Sequence, residues 1–262
     1  MSDPDFTPAF IRTDWLTAAH GARLYYQYCP PQLSPHRTFV WLSGFRSDIS
    51  GAKAQLVLEH ALRRGDGALL VDYSGHGRSA GDFADGTISL WLADALAAIK
   101  ALTQGPLILV GSSMGGWIAL LAALRLPARI AGLALVAPAP DFTERLIWRA
   151  FPDEIRAAIL RDNVYYRPSA YDPAPTPITR ALIEDARQHL IMDKSIPIHA
   201  PVRILHGQQD PDVPWAQSLE LVERLASTDV RLTLIKDGDH RLSRPEDLAL
   251  LRLTLDPFID NV

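Results

Sequence analysis

The residues that flank Ser113 are typical of those around a nucleophilic serine. It stands at the centre of a Gly-x-Ser-x-Gly pattern within residues 107–124, LILVGSSMGGWIALLAAL. The apolar run before the pattern is typical of a strand buried on both faces, and the apolar segment after it has the length of a helix. A strand, this pattern and a helix in succession predict a strained turn that exposes the serine hydroxyl at a helix N-terminus, which favours negative charge. We therefore predict that Ser113 is a catalytic nucleophile; without these flanks the same pattern would indicate an ordinary turn.

A neutral serine is a weak nucleophile and needs a base within hydrogen-bond reach. Where such a serine joins a strand to a helix, the acid follows it in the chain and the histidine comes last. Of the histidines after Ser113, His240 falls between the last predicted strand and the last predicted helix, at the sheet edge where ligands bind. We predict that His240 is the base, the alternative being a surface-loop histidine. His206 is expected to support the loop of the acid, whereas His189 and His199 precede that region.

Two aspartates qualify as the acid that orients the base. Asp210 and Asp212 both lie in the loop after the predicted strand 202–205. Asp212 could instead cap the helix that begins near Pro214, a frequent role of aspartate before a proline in the first turn. We therefore predict that Asp210 is the acid. Asp239, beside the base in the sequence, is expected to anchor its loop.

An oxyanion that forms at the substrate carbonyl needs two backbone N–H groups aimed at it. One is expected from Met114, the residue after the nucleophile, and the other from the loop after the predicted strand 38–42. Gly44 permits a sharp turn there, and Phe45 follows it with the predicted second N–H group. The alternative is that Ser43 and Gly44 form only a strand-end turn.

Regular alternation of strands and helices predicts the elements that hold these residues. A hairpin is predicted at 14–18 and 23–28, after an irregular arm at 1–12. Further strands are predicted at 38–42, 68–72, 107–110, 132–137, 202–205 and 231–235, and helices at 53–64, 89–102, 116–126, 215–226 and 245–259. Such alternation is typical of βαβ units with right-handed crossovers. The predicted fold is α/β: a mostly parallel eight-stranded sheet with helices on both faces.

The alternation stops between residues 140 and 200, which we call the insertion. Short amphipathic helices are predicted there at 142–150, 152–161 and 178–192, around a proline-rich stretch at 167–177. A connection this long is expected to cover the sheet as a cap on a core made of 1–139 and 201–262. Its aromatic residues, among them Trp148 and Tyr165, are predicted to bind substrate together with Gly44, or else only to pack the cap onto the core.

Composition narrows the classes of function. The chain has 262 residues and a formal net charge of -4, which argues against a nucleic-acid partner. Its one cysteine, Cys29, excludes an internal disulfide and a cysteine cluster for a metal. No apolar run is long enough to cross a bilayer, and the first residues do not resemble a signal or transit peptide, so a cytoplasmic location is expected. Nothing in the sequence indicates the oligomeric state.

Two further motifs resemble those of the α/β-hydrolase superfamily. Residues 72–79, DYSGHGRS, are similar to its D-x-x-G-H-G-x-S turn, and residues 206–214, HGQQDPDVP, resemble its acid loop. The resemblance covers nearly the whole chain and implies a triad of Ser113, Asp210 and His240. It thus selects Asp210 over Asp212 independently of the capping argument.

A narrower resemblance points to one subgroup of that superfamily. Its motifs here are WLSGF at 41–45, VGSSMGGW at 110–117, LHGQQDPDVPW at 205–215, STDV at 227–230 and DHR at 239–241. They are similar to a mitochondrial subgroup described in mammals as palmitoyl-protein thioesterase and acyl-glucuronide esterase. This implies hydrolysis of a small acyl ester or thioester through a covalent acyl-enzyme, without a metal or cofactor. The chain departs from the subgroup in its first residues and in the insertion.

Functions of other classes remain as alternatives. A serine at this turn argues against dehalogenases and epoxide hydrolases, which carry an aspartate there. A peptidase is possible but has no gating domain to support it. A ligand receptor on the same fold would be modified once by its ligand and would not turn over.

Overall fold

The computed structural model describes residues 10–32, 37–168 and 173–258. Its strands are β1 (Arg12–Thr17), β2 (Arg23–Cys29), β3 (Thr38–Leu42), β4 (Gly67–Val71), β5 (Leu107–Ser112), β6 (Ile130–Val136), β7 (Val164–Arg167), β8 (Thr176–Thr179), β9 (Val202–Gly207) and β10 (Val230–Ile235). Its α-helices are α1 (Ala52–Arg63), α2 (Ile88–Leu102), α3 (Met114–Arg125), α4 (Asp153–Asp162), α5 (Arg180–Ala186), α6 (Ala216–Arg224) and α7 (Pro245–Leu255). A π-helix spans Thr143–Trp148, and single 3₁₀ turns span Phe83–Asp85, Pro127–Arg129, Arg187–His189 and Asp256–Phe258.

Eight of these strands form one sheet in the order β1-β2-β4-β3-β5-β6-β9-β10. Within this sheet, β1 pairs antiparallel with β2 and β2 pairs antiparallel with β4, whereas the other neighbouring strands are parallel. The central strands β3, β4, β5 and β9 are buried along their whole length, whereas exposure alternates along the edge strands β1 and β10. The predicted α/β fold with a mostly parallel eight-stranded sheet is therefore confirmed.

Helices cover both faces of this sheet because successive strand residues point to opposite sides. In β5, Leu109 belongs to the core beneath α2 and α3, where the buried rings of Trp91 and Trp117 lie. Its neighbour Val110 belongs to the opposite core, beneath α1 and α7. A strand that is apolar on both faces can be accommodated only in the middle of such a three-layer arrangement.

The ends of several elements differ from the prediction. The helix after the nucleophile begins at Met114 and not at Gly116, because Ser113 alone separates the end of β5 from the start of the helix. The last helix ends at Leu255 and continues as a 3₁₀ turn. Residue 259, the predicted end of that helix, and residues 1–9 of the predicted arm lie outside the described part of the chain.

The insertion between β6 and β9 is less helical than predicted. The predicted helix over 178–192 is wrong at its start: residues 176–179 form β8, which pairs antiparallel with β7 in a separate two-stranded sheet. The rest of that segment contains α5 and the 3₁₀ turn at Arg187–His189. The N-terminus of α5 is set by Thr179, whose side chain accepts a hydrogen bond from the N–H group of Leu182. The first predicted helix, 142–150, is shortened to the π-helix, whereas α4 matches the second. Part of the proline-rich stretch, residues 169–172, lies outside the described residues.

Within the described ranges, no helix combines the length and apolar character needed to cross a membrane.

Candidate active site

Ser113 occupies the turn between β5 and α3 in a strained backbone conformation. Its φ is 54° and its ψ is -120°, a combination rare for residues other than glycine. The two glycines of the pattern make this turn possible. A Cβ atom on Gly115 would lie 2.0 Å from the carbonyl oxygen of Leu42, and one on Gly111 would lie 2.3 Å from that of Gly115. The turn therefore closes only because both positions lack a side chain.

The structure brings Ser113, His240 and Asp210 together in a continuous chain of contacts. Nε2 of His240 lies 3.1 Å from Oγ of Ser113. Nδ1 of the same ring lies 2.7 Å from Oδ2 of Asp210. Since a carboxylate can only accept, Nδ1 carries the proton and Nε2 presents its lone pair to the serine hydroxyl. This is the geometry that general-base activation of a serine requires.

The side chain of Asp210 is fully buried and held at both oxygens. Oδ1 accepts hydrogen bonds from the N–H groups of Asp212 and Val213, each at 2.8 Å. Burial by itself would raise the pKa of Asp210, but the hydrogen bonds from His206 and His240 outweigh it and hold this pKa well below its usual range. The carboxylate is therefore ionised and can stabilise a positively charged His240.

His206 supports the loop of the acid, as predicted. Its imidazole is buried, with Nδ1 at 2.7 Å from Oγ of Ser218 and Nε2 at 3.0 Å from the carbonyl oxygen of Val213. Nε2 also lies 3.2 Å from Oδ2 of Asp210. The ring thus links β9, the acid loop and α6.

The two other aspartates of the region have different surroundings. Asp212 does not take the alternative role of a helix cap, because α6 begins at Ala216 without a side-chain cap, and Asp212 lines the cavity above Ser113. Asp239 accepts a hydrogen bond from the N–H group of Leu242 at 2.9 Å, which agrees with its expected role as a loop anchor.

Met114 and Phe45, the two predicted oxyanion donors, line one cavity with the nucleophile. Met114 is the first residue of α3, where N–H groups have no partner within the helix. Gly44 approaches so closely that a Cβ atom on it would lie 3.4 Å from Cβ of Ser113. Gly44, Phe45, Ser113 and Met114 all line the same cavity.

This cavity has a volume of about 330 Å³. Phe142, Leu146 and Ile147 contribute an apolar wall from the insertion. Its remaining lining includes four cationic side chains and the carboxylate of Asp212; the cations are Arg46, Lys53, Arg167 and Arg241. The cavity thus combines an apolar wall with charged side chains that are mainly cationic.

The structure does not bring Trp148 and Tyr165 to this cavity. The guanidinium of Arg187 lies 5.0 Å from the centre of the Trp148 ring, and Tyr165 packs its ring against Phe151 at 5.5 Å. Both aromatic residues thus contact other residues of the insertion.

The cationic side chains were missed by the sequence analysis. Arg46 and Arg241 directly follow Phe45 and His240, so their neighbours in the chain could have indicated them. Lys53 and Arg167 carry no comparable signal. Nζ of Lys53 donates hydrogen bonds to the carbonyl oxygen of Arg241 and, at 3.0 Å, to Oγ of Ser243, and burial lowers the pKa of Lys53 to about 8.

Asp210, Asp212 and His240 also present ligand atoms within 4.8 Å of one another, a spacing that could suit a metal ion. Both oxygens of Asp210 already accept hydrogen bonds, however, and Nδ1 of His240 is one of the donors. A metal ligand must present a lone pair, so binding there would require these hydrogen bonds to break.

Comparison with protein families gives a match over most of the chain. The model of the alpha/beta hydrolase family matches residues 8–249. Mouse palmitoyl-protein thioesterase ABHD10, mitochondrial, is 36% identical over 224 residues, which cover 85% of this chain and 75% of that protein. Monoacylglycerol lipase of Mycolicibacterium smegmatis is 27% identical over 262 residues, covering 88% of this chain and 91% of that protein.

Two solved structures are similar over nearly their full length. A putative hydrolase from Agrobacterium vitis superposes with a TM-score of 0.92 at 43% identity, covering 96% of this chain and all of that one (100%). Alpha/beta hydrolase domain-containing protein 10 from mouse superposes with a TM-score of 0.86 at 34% identity, covering 95% of this chain and 98% of that one.

Proposed function

The chain belongs to the α/β-hydrolase family and is an ester or thioester hydrolase, and we propose that Ser113, His240 and Asp210 are its catalytic triad. The observation that carries this proposal is the continuous line of contacts between the three side chains, 3.1 Å from serine to imidazole and 2.7 Å from imidazole to carboxylate. A receptor that its ligand modifies once would use the same aligned base, so repeated turnover is what distinguishes an enzyme from it.

The proposed reaction proceeds through an acyl-enzyme. His240 takes the proton of Ser113 while Oγ attacks the acyl carbon, and the N–H groups of Met114 and Phe45 stabilise the resulting oxyanion. His240 then passes this proton to the departing alcohol or thiol as the bond to the acyl carbon breaks. Water, deprotonated by the same histidine, releases the acid and restores the serine. Asp210 keeps the imidazole in the required tautomer throughout.

Substitution of the triad tests this mechanism directly. We expect Ser113→Ala and Asp210→Asn to lower kcat for para-nitrophenyl acetate by about a thousandfold or more. Asp212→Asn is the matched control, because it changes the neighbouring carboxylate of the same loop without removing the partner of His240. A Ser113→Ala variant that retains turnover would overturn the proposal. A wild-type chain that is acylated once at Ser113 without turnover would favour the receptor.

For the substrate, we propose a long-chain acyl thioester. Two observations support this: the apolar wall of Phe142, Leu146 and Ile147, and a relative whose name is palmitoyl-protein thioesterase. A matched series of esters and thioesters from acetyl to palmitoyl tests it, with Ser113→Ala as the blank. We expect kcat/KM to rise with chain length and to favour thioesters. A preference for acetyl esters would instead indicate a carboxylesterase with a short acyl site.

The cationic lining favours a second candidate, an acyl glucuronide. The glucuronic acid of such an ester carries a carboxylate, which Arg or Lys side chains bind with charge-assisted hydrogen bonds. An acyl glucuronide and the corresponding neutral acyl glucoside differ only at this group and form a matched pair of substrates. We expect a lower KM for the glucuronide, and an increase in that KM on Arg167→Gln. Equal KM values for both sugars would eliminate this candidate.

We further propose that the insertion, residues 140–200, is a cap on a core made of 1–139 and 201–262. Its support is that Phe142, Leu146 and Ile147 come from the insertion and line the cavity above Ser113. A cytoplasmic location stays a prediction, and the curated relatives that are 34–36% identical are named as mitochondrial proteins.

A further inference from the structure

The turn that carries the proposed oxyanion donor Phe45 contains a strained residue. Arg46, the next residue, has a φ of 59°, which a residue with a side chain adopts at a cost of about 1 kcal/mol or more. Within the turn, one hydrogen bond joins the N–H group of Ser47 to the carbonyl oxygen of Gly44 at 3.1 Å. Strain of this kind persists only where the surroundings hold the backbone in place.

His76 supplies such a contact from outside the turn. The N–H group of Arg46 donates to Nε2 of His76 at 3.3 Å, and Nδ1 of His76 lies 3.2 Å from the carbonyl oxygen of Ser74. A carbonyl oxygen only accepts and an N–H group only donates, so a single neutral tautomer, protonated at Nδ1, satisfies both contacts. Burial lowers the pKa of His76 to about 4, so the ring is neutral at pH 7.

The position of His76 is itself well determined. The ring is buried and contacts the rings of Phe83 and Trp91, each with centroids 5.1 Å apart. Phe45 packs its own ring against the same two side chains, at 4.9 Å and 5.7 Å. The backbone and the side chain of the turn are thus both held by one aromatic cluster.

A second residue of the motif at 72–79 contacts the same loop. Oδ1 of Asp72 accepts a hydrogen bond from the N–H group of Ile49 at 2.9 Å. Its Oδ2 accepts one, also at 2.9 Å, from the backbone N–H group of Arg78 in the same loop as Asp72. The loop after β4 therefore contacts the loop after β3 at two points, Arg46 and Ile49.

We propose that His76 is a positioning residue for the oxyanion hole. By accepting the N–H group of Arg46, it fixes the peptide that follows Phe45 and with it the direction of the Phe45 N–H group. This inference rests on the proposed function, in which that group stabilises the tetrahedral intermediate. An oxyanion donor acts mainly in the transition state, so its displacement lowers kcat and leaves KM nearly unchanged.

Two substitutions separate the hydrogen bond from the packing. His76→Phe keeps an aromatic ring in the cluster but removes the acceptor. His76→Gln loses the ring but can place an amide oxygen near the position of Nε2. We expect His76→Phe to lower kcat by about 10- to 100-fold, with KM changed less than about threefold, because a misdirected donor loses part of its effect. His76→Gln is expected to restore most of kcat.

Wild-type kcat in His76→Phe, or equal loss in both variants, would overturn the proposal, since packing alone would then explain the residue. Amide hydrogen exchange at residues 44–47 provides a readout that does not depend on catalysis. Faster exchange in His76→Phe than in His76→Gln and wild type supports the positioning role, whereas equal exchange in all three refutes it. If wild type hydrolyses no ester, the proposed function fails, and the exchange rates still decide whether His76 holds the turn.

Discussion

Nε2 of His206 lies 3.2 Å from Oδ2 of Asp210, the same oxygen that Nδ1 of His240 contacts at 2.7 Å. One carboxylate oxygen therefore faces two imidazoles, of which only His240 reaches the nucleophile. A residue that orients the acid also affects the base, because the acid in turn holds the base in place. His206 is thus expected to contribute to catalysis without touching the substrate.

Substitution of His206 tests this relationship. We expect His206→Phe to lower kcat by about tenfold or more with little change in KM, because Asp210 loses one of the hydrogen bonds that keep it ionised and in place. His206→Gln, which can still donate from an amide, should recover part of the loss. Ser218→Ala removes only the partner of Nδ1 and serves as the control. Wild-type kcat in a folded His206→Phe variant would contradict this role.

The strained backbone of Ser113 predicts that the side chain needed for activity costs the protein stability. With a φ of 54°, this residue is better suited to glycine than to alanine. We expect Ser113→Gly to exceed Ser113→Ala by about 1 kcal/mol in the free energy of unfolding, although glycine loses more backbone entropy on folding. Urea denaturation of the two inactive variants measures this difference. Equal or greater stability of Ser113→Ala would show that the turn stores no strain.

Gly115 should tolerate no side chain. Its missing Cβ atom would lie 2.0 Å from the carbonyl oxygen of Leu42, in backbone that is buried in the centre of the sheet. We expect Gly115→Ala to lower the free energy of unfolding by about 3 kcal/mol or more, or to prevent folding. Gly51→Ala is the control, because its nearest neighbouring atom is 3.6 Å away and its φ is -63°. Similar stabilities of the two variants would be inconsistent with this packing.

Two buried histidines predict a loss of stability in acid. Burial lowers the pKa of both His60 and His76 to about 4, against about 6.5 in the unfolded chain. Between pH 6.5 and 4 the unfolded state therefore binds protons that the folded state does not, and the free energy of unfolding falls as the pH falls through this window. Above pH 6.5 neither histidine contributes to the pH dependence.

The variant His60→Leu isolates the contribution of His60 to this pH dependence. The difference in the free energy of unfolding between pH 7 and pH 5 should be about 2 kcal/mol smaller in this variant than in wild type. Guanidinium denaturation at the two pH values measures it. An unchanged difference would mean that His60 takes up its proton in the folded state without penalty.

The sequence alone was sufficient to predict the framework and the residues that now form the proposed triad. Ser113, Asp210 and His240 each follow a parallel strand, and parallel strands present their carboxyl ends at one edge of the sheet. The apolar runs of the central strands are long enough to be recognised in the sequence, and the glycines around Ser113 mark positions where the turn leaves no room for a side chain. These patterns lie in residues that are neighbours in the sequence, so they can be recognised without knowing how the elements pack.

The insertion and the lining of the cavity depended on the tertiary structure. Its short segments have weak intrinsic preferences, so packing decided that residues 176–179 form a strand and that Trp148 and Tyr165 pack within the insertion. Lys53 and Arg167 reach the cavity from elements distant in the chain. The same holds for the contact between His76 and Arg46, which joins two loops 30 residues apart. Contacts of this kind leave no periodic pattern in a sequence, because they are set by how neighbouring elements pack and not by the residues that flank them.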